Sequence, residues 1–340
     1  MKRHDVRQLM SEGIFEDKPI KGELEETNIS WVILTENHAF KIKKEIRLSF
    51  LDYSTLELRK ECCQKELELN RRFSSIYLSI LPITYDQGVW KIGEGAGKIM
   101  DYAVCMKRME SAKRLDTLLK HHDVDPDRII LLANQVAHFH QHAEVIKGAF
   151  NLEKAKELFS DLNSVQKVVL KEFGPAFSDT ILKLISFSDD FLSRHAIRFE
   201  ERIKEGLTKD VHGDLHCGNI FLYKTPVIFD CIEFQDAFRQ IDVLYEIAFM
   251  CMDLEFFGRN DLSNLFLDAY KKIILASFQK DEDEAIFLYY KCLRANVRAK
   301  VFLLNSMTEP ISEKKAQELT KGKKYLDLAM EYHRNLLENN

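Results

Sequence analysis

The chain has 340 residues, 46% hydrophobic and 30% charged, enough apolar material for about two domains of ordinary size. With 6 prolines and 13 glycines it is neither disordered nor collagen-like, and its apolar runs fall far short of the ~20 residues that a membrane helix needs. Lys and Arg (49) nearly balance Asp and Glu (54), and the net charge of −5 disfavours a general nucleic-acid or anionic-membrane binder.

The first residues, Met1-Lys2-Arg3-His4-Asp5, are too polar for a signal peptide, which points to a cytoplasmic protein. The 7 cysteines are odd in number and form no C-x-x-C pair, so they read as buried reduced thiols. Residues 29–35 and 38–44 are β-rich runs about Glu36-Asn37, the pattern of a hairpin. A helical pattern over 54–72 opens with a Ser54-Thr55 cap. Strands are expected around 78–85 and 98–108, joined by Gly93-Glu94-Gly95-Ala96-Gly97-Lys98-Ile99. That stretch has three residues between Gly93 and Gly97 where a P-loop has four, and Ile99 stands where Ser or Thr would bind Mg²⁺. It reads as a hairpin turn.

Beyond about residue 109 the pattern becomes helical, over 113–121, 126–144, 151–172 and 176–205. A non-helical island occupies about 207–235, and helices resume from 240, ending with 281–305 and 313–337. The expected architecture is α+β and two-lobed. Residues 1–108 would form a small β-rich nucleotide-binding lobe, and 109–340 a large helical lobe with the catalytic loop and acceptor pocket.

The most informative stretch is Val211-His212-Gly213-Asp214-Leu215-His216-Cys217-Gly218-Asn219, followed eleven residues later by Asp230 at the end of Val227-Ile228-Phe229. Phosphoryl transfer from a nucleotide needs one carboxylate to orient the attacking hydroxyl, and an amide oxygen with a second carboxylate to hold Mg²⁺. Asp214, Asn219 and Asp230 supply these types at the H-x-D-x-x-x-x-N spacing of a kinase catalytic loop. His212 is expected to orient the loop backbone.

A kinase also needs a lysine on an early strand and a glutamate on the following helix. In Ala39-Phe40-Lys41-Ile42-Lys43, Ala39 and Lys41 share a strand face, as a nucleotide roof and a phosphate contact would. Lys43, on the same face, is the alternative. Glu61, Glu66 and Glu68 are the candidate partners, with Glu66 favoured. The phosphate-covering turn would be Glu26-Thr27-Asn28-Ile29-Ser30, with the Thr27 and Ser30 hydroxyls in place of glycines. The adenine would lie near 106–110, at Met106 and Met109.

On these residues, together with Phe50-Leu51-Asp52-Tyr53-Ser54-Thr55-Leu56 and Phe229-Asp230-Cys231-Ile232-Glu233-Phe234, the chain resembles the aminoglycoside-phosphotransferase-like family. These are small-molecule kinases with the protein-kinase fold, and the likeness, over about 20–275, is to an uncharacterised bacterial branch. The resemblance implies that Asp214 is the catalytic base, that Asn219 and Asp230 are metal ligands, and that Lys41 binds phosphate, with ATP and Mg²⁺ as cofactors. Some members of the branch carry a second, P-loop domain, and no G-x-x-x-x-G-K-[ST] occurs in this sequence.

About sixty helix-patterned residues separate 138–144 from His212, and no Ala-Pro-Glu follows Asp230. Both features favour a small-molecule hydroxyl acceptor over a protein Ser/Thr. The competing reading is a catalytically inactive nucleotide-binding scaffold, which loss of Lys41, Asp214, Asn219 or Asp230 would mark. His138, His140 and His142 lie on one predicted helix without the H-E-x-x-H order and read as packing residues. Glu233 is open between Mg²⁺ or substrate contact and a salt bridge with Arg239 or another cation. Asp242 reads as a helix cap or loop brace, and Asp253, Glu255 and Asp261 read as a solvated acidic face that a cationic acceptor would alternatively use.

Overall fold

The strands Ser30–Thr35 and His38–Lys43 pair antiparallel about Glu36-Asn37 in the computed structural model, which describes residues 1–309 and 312–338. They belong to an eight-stranded sheet in the order Lys18–Pro19, Ile14–Phe15, Val89–Ile92, Tyr77–Asp86, Lys98–Lys107, His38–Lys43, Ser30–Thr35, Gly22–Glu26. Alternation divides the sheet's residues between two cores. Ile33, Phe40, Ile42, Ile83, Trp90 and Cys105 pack with Val6 and Leu9 of the helix Arg3–Glu12. Ala39, Val104, Met106 and Tyr77 pack with Cys63 of the helix Leu56–Arg71.

The Gly-rich stretch is not a hairpin turn. Val89–Ile92 is a strand of its own, and Tyr77–Asp86 pairs with it on one side and with Lys98–Lys107 on the other. Residues 93–97 therefore carry the chain across the intervening strand. The tight hairpin lies earlier, at Gln87 (φ 45°) and Gly88 (φ 90°), two successive left-handed residues that match the twist of the flanking strands.

The chain divides into two compact units, residues 1–118 with 218–239, and 119–217 with 240–340. The first unit runs past the expected boundary at 108/109 and takes in a segment assigned to the helical lobe. The segment's hydrogen bonds show why. Leu222 N donates to Lys113 O at 2.8 Å, Asp230 N to Tyr77 Oη at 3.0 Å, and Cys231 N to Asn70 Oδ1 at 2.8 Å.

The second unit is helical, with Pro126–His142, Pro175–Lys204, Val243–Phe256, Asn260–Ile273, Asp281–Thr308 and Glu313–Glu338 as its longer elements. The helix expected over 151–172 is interrupted. Leu152–Ser160 and Gln166–Phe173 flank a 3₁₀ turn at Asp161–Val165, which keeps Phe159, Leu162, Val165 and Val169 all fully buried. Asp242 caps Val243–Phe256 through Leu244 N at 2.8 Å, and Arg202 grips the same carboxylate at 2.7 and 2.8 Å. Arg202 also reaches Asp283 Oδ1 at 2.7 Å, so one buried guanidinium ties three helices. All seven cysteines are free thiols, six of them buried.

Candidate functional site

Ala39, Lys41 and Lys43 share the strand face that looks onto the helix Leu56–Arg71. That helix is capped by Thr55, whose hydroxyl accepts from Leu58 N at 3.2 Å. Its buried stripe is Arg59, Cys63, Glu66 and Asn70, at helical spacing but mostly polar. Glu66 is thus turned inward, whereas Glu61 and Glu68 are exposed. Lys41 Nζ lies 2.8 Å from Glu66 Oε1 and 2.5 Å from Asp230 Oδ1. Burial works against the lysine's charge, but Asp230, Glu66 and Glu233 outweigh it and hold its pKa well above the usual value.

Lys43 belongs to a second ion pair. Its fully buried Nζ is 2.7 Å from Glu66 Oε2, bonds Glu233 Oε1, and lies 3.2 Å from Tyr53 Oη. Tyr53 in turn donates to Glu233 at 2.7 Å. Glu233 is therefore consumed by a salt bridge, and its cation is Lys43 rather than Arg239, which pairs with Asp236. Asp230 sits at φ 66°, a left-handed conformation that a short polar side chain tolerates, and its amide is fixed by Tyr77.

Around Lys41 the first unit encloses a cavity of about 250 Å³. Val32, Leu34, Ala39, Met106, Phe221 and Phe229 form apolar walls, while Lys41, Asn219 and Asp230 are among its polar lining. Thr27, Tyr77 and Met109 also line it. Asn219 and Asp230 are oxygen donors on one cavity, the chemistry of a hard divalent cation that fills its shell with phosphate oxygens and water. They fit such an ion. Among the described residues no three His, Cys, Asp or Glu cluster as a metal cage.

One expected nucleotide contact lies outside the cavity lining. Ser30 shares the Val32 face by strand alternation, but it pairs with the buried Lys43 where Val32 pairs with Lys41, and it is itself fully buried with no hydrogen-bond partner at Oγ. Its backbone closes the turn instead: Ser30 N donates to Thr27 Oγ1 at 2.9 Å, and Thr27 N to Ser30 O at 2.9 Å. Lys44 Nζ braces the turn at Thr27 O (2.6 Å) and Glu26 Oε1 (2.8 Å).

Within the second unit, the loop that carries Asp214 rests on two carboxylates of one helix, Glu246 and Asp253. Glu246 Oε1 accepts from His212 N at 2.7 Å, and Oε2 from Gly213 N at 3.0 Å. Asp253 accepts from Cys217 N at 2.9 Å and from Tyr325 Oη at 2.6 Å. Gly213 (φ 86°) turns the chain between them. The His212 ring is buried, its Nδ1 accepting from Asp214 N at 3.3 Å, so it braces the loop. His216 Nε2 is 3.4 Å from Asp214 Oδ2. Burial opposes the Asp214 charge, but His216, Arg298 and His212 more than offset it and hold the carboxyl below the usual range. Burial pushes Glu246 up to about 7, against Arg294 and the two amides.

Neither brace was singled out as such from sequence. Glu246 had a signal, a lone carboxylate in the apolar run Val243-Leu244-Tyr245-Glu246-Ile247-Ala248-Phe249. The acidic set is not a solvated face throughout. Asp253 is buried, Glu255 accepts from Ser263, Lys291 and Tyr332, and only Asp261, paired with Arg259, lies at the surface. His140 is buried against Tyr270 Oη at 2.8 Å, and His142 Nδ1 meets His138 O at 2.8 Å.

No known protein-family profile matches the chain. It is 32% identical over 290 residues to uncharacterised proteins of Mycobacterium bovis and Mycobacterium tuberculosis, over 82% of this chain and 54% of theirs. The chain spans about half the length of these curated relatives. Among solved structures, the choline kinase of Cryptosporidium parvum matches with a TM-score of 0.54 at 11% identity, over 92% of this chain and 89% of that one. A choline/ethanolamine kinase family protein of Mesorhizobium loti matches with a TM-score of 0.51 at 12% identity, over 97% and 99%. At such identities the likeness is one of fold. No helix among the described residues is long and apolar enough to cross a membrane.

Proposed function

We propose that this chain, whose α+β fold is two-lobed, protein-kinase-like and aminoglycoside-phosphotransferase-like, is an ATP- and Mg²⁺-dependent phosphotransferase that moves the γ-phosphoryl group to a hydroxyl of a small molecule. The observation that carries the reading is the Lys41–Glu66 pair, with Asp230 on the same ammonium, at a cavity also lined by Asn219.

In this reading the apolar walls from Val32, Ala39, Met106 and Phe229 sandwich the adenine, near Met106 and Met109. Lys41, kept protonated by its three carboxylates, binds the α- and β-phosphates. Asn219 and Asp230 would hold Mg²⁺, which when bound neutralises charge on the phosphate oxygens. Asp214 accepts a hydrogen bond from the acceptor hydroxyl. As the acceptor oxygen bonds phosphorus, the bond to the ADP oxygen breaks, and the hydroxyl proton passes to Asp214 and then to solvent. A carboxylate held below the usual range is a weak base, but the transition state is loose, so Asp214 acts chiefly by orienting the oxygen. Its reach is limited by a tether: only four residues separate Asp214 from Asn219.

The test is Mg²⁺-dependent ATP turnover across a panel of hydroxylated metabolites, with Asp214→Ala alongside. The expected result is transfer to at least one acceptor, a loss of about 10²–10⁴-fold in the variant, and nearly unchanged nucleotide affinity in it. Nucleotide binding without transfer would favour the inactive scaffold, and an active variant would remove Asp214 from the mechanism.

A further inference from the structure

Resting on the phosphotransferase reading, we infer that the acceptor carries an anionic group besides its hydroxyl, and that Arg298, beside Asp214, is the residue that selects it. The carboxylates nearest the loop are already committed inside the protein. Glu246 holds two loop amides, Asp253 holds a third amide and Tyr325, and Glu255 holds Lys291, Ser263 and Tyr332. A cationic acceptor needs a carboxylate or an aromatic face to meet its charge. The aromatic rings here already meet guanidinium groups. Arg294 lies 3.6 Å from the Tyr245 centroid and 4.6 Å from that of Phe249. Arg298 lies 4.8 Å from Phe302, 5.5 Å from Tyr325 and 5.9 Å from Phe249.

The guanidinium hydrogen-bonding capacity, by contrast, is not fully used. Arg294 is anchored to Tyr245 O at 3.2 Å and Gly213 O at 3.3 Å, which makes it part of the loop's support. Arg298 stands one helical turn further on and also meets Tyr325, yet its Nε is buried with no hydrogen-bond partner. A buried N–H left without an acceptor is costly and calls for a physical reason. Arg298 and Asp214 are near enough for their charges to act on each other, and Phe249 packs against both Arg298 and His216, at 5.9 and 5.2 Å, while His216 reaches Asp214 at 3.4 Å. A carboxylate or phosphate monoester on the guanidinium would hold its molecule in the neighbourhood of Asp214. The planar fork of arginine suits either anion.

The experiment compares kcat/KM for acceptors matched in size but differing in charge, using the whole chain with ATP and Mg²⁺. Glycerate, gluconate and glycerol phosphate are the anions, glycerol and glucitol the neutral analogues, ethanolamine and glucosamine the cations. The expected result is a preference of at least tenfold for an anion over its neutral analogue. The two kinds of anion separate carboxylate from phosphate recognition. Arg298→Gln should raise the KM for the anion at least tenfold and bring the preference close to one, while Arg298→Lys restores part of it. If Arg298→Gln folds poorly, the ranking of acceptors by the unaltered protein stands as the test. Equal or better transfer to neutral or cationic members overturns the inference and leaves the phosphotransferase reading in place. Nucleotide binding with no transfer to any member overturns both.

Discussion

Glu66 bonds two lysines with its two oxygens: Oε1 is 2.8 Å from Lys41 Nζ, and Oε2 is 2.7 Å from Lys43 Nζ. One carboxylate thus joins the cavity lysine to a fully buried lysine, and through it to Glu233 and Tyr53. Moving Glu66 disturbs both ends of this network.

Replacing Glu66 by Gln leaves two buried ammonium groups short of a counter-charge, a change that costs about 3–5 kcal/mol. Burial opposes the Glu66 charge, but Lys41 and Lys43 outweigh it and hold the carboxyl at about 2. Its folded pKa is therefore below the unfolded value of ~4.3, so its contribution is present above that pH and is lost as pH falls toward 2. Urea unfolding of both proteins from pH 7 to pH 2.5 should show the stability gap narrowing over this window. A gap independent of pH would mean that the charge of Glu66 is not what stabilises.

Glu246 has the opposite sign. Its folded pKa of about 7 lies above the unfolded value of ~4.3. Stability from this group falls as pH rises from ~4.3 to about 7 and is level beyond. Protonation puts an O–H where His212 N or Gly213 N needs an acceptor, so turnover should climb through about pH 7 as the loop regains both bonds. Glu246→Gln should lower turnover on the order of 10–100-fold, as misplaced catalytic groups do, and remove that inflection from the pH profile. An unchanged inflection assigns it to another group.

Arg202→Met should cost about 3–5 kcal/mol, read as a fall in the urea midpoint. The guanidinium is fully buried, and its loss leaves Asp242 without its cation while Asp283 keeps Arg198. Adding Asp242→Asn to Arg202→Met should recover part of the loss, since the uncompensated charge is then gone. A double variant no more stable than Arg202→Met would rule out charge burial as the cause.

Gly322→Ala pits helix propensity against packing. Alanine gains about 1 kcal/mol in a helix interior, but the new Cβ would stand 2.7 Å from Leu303 Cγ, in a residue that is fully buried. Overpacking of this kind costs about 1–3 kcal/mol. Net destabilisation in thermal unfolding is expected, and Leu303→Ala should convert the substitution to a neutral or stabilising one.

The catalytic-loop string was legible because its residue types and spacing are set by covalent chain length. Lys41 was legible because strand alternation alone places it with Ala39. The helix Leu56–Arg71 was harder. Its buried stripe of Arg59, Cys63, Glu66 and Asn70 is mostly polar, so apolar periodicity could not separate Glu66 from Glu61 or Glu68. Ser30 shows the limit from the other side. A hydroxyl in a phosphate-like turn was readable, and alternation puts it on the Val32 face, but its place opposite the buried Lys43, outside the cavity lining, depends on register with the neighbouring strand. The Gly-rich stretch has the residues of a hairpin turn, yet pairing partners, and not turn residues, decide whether two strands are neighbours.

What the sequence alone determined is the set of chemical groups and their order: a lysine on a strand, a glutamate on the next helix, and Asp214, Asn219 and Asp230 at fixed spacing. Only the tertiary structure decided which carboxylates are free to act and which are structural. Glu233 and Asp253 look like candidate ligands in the sequence, yet each is committed to cations, hydroxyls or amides brought from elsewhere in the chain. The reason is physical. A buried carboxylate must have its charge met, and the groups that meet it lie up to 190 residues away in sequence, where local spacing carries no information.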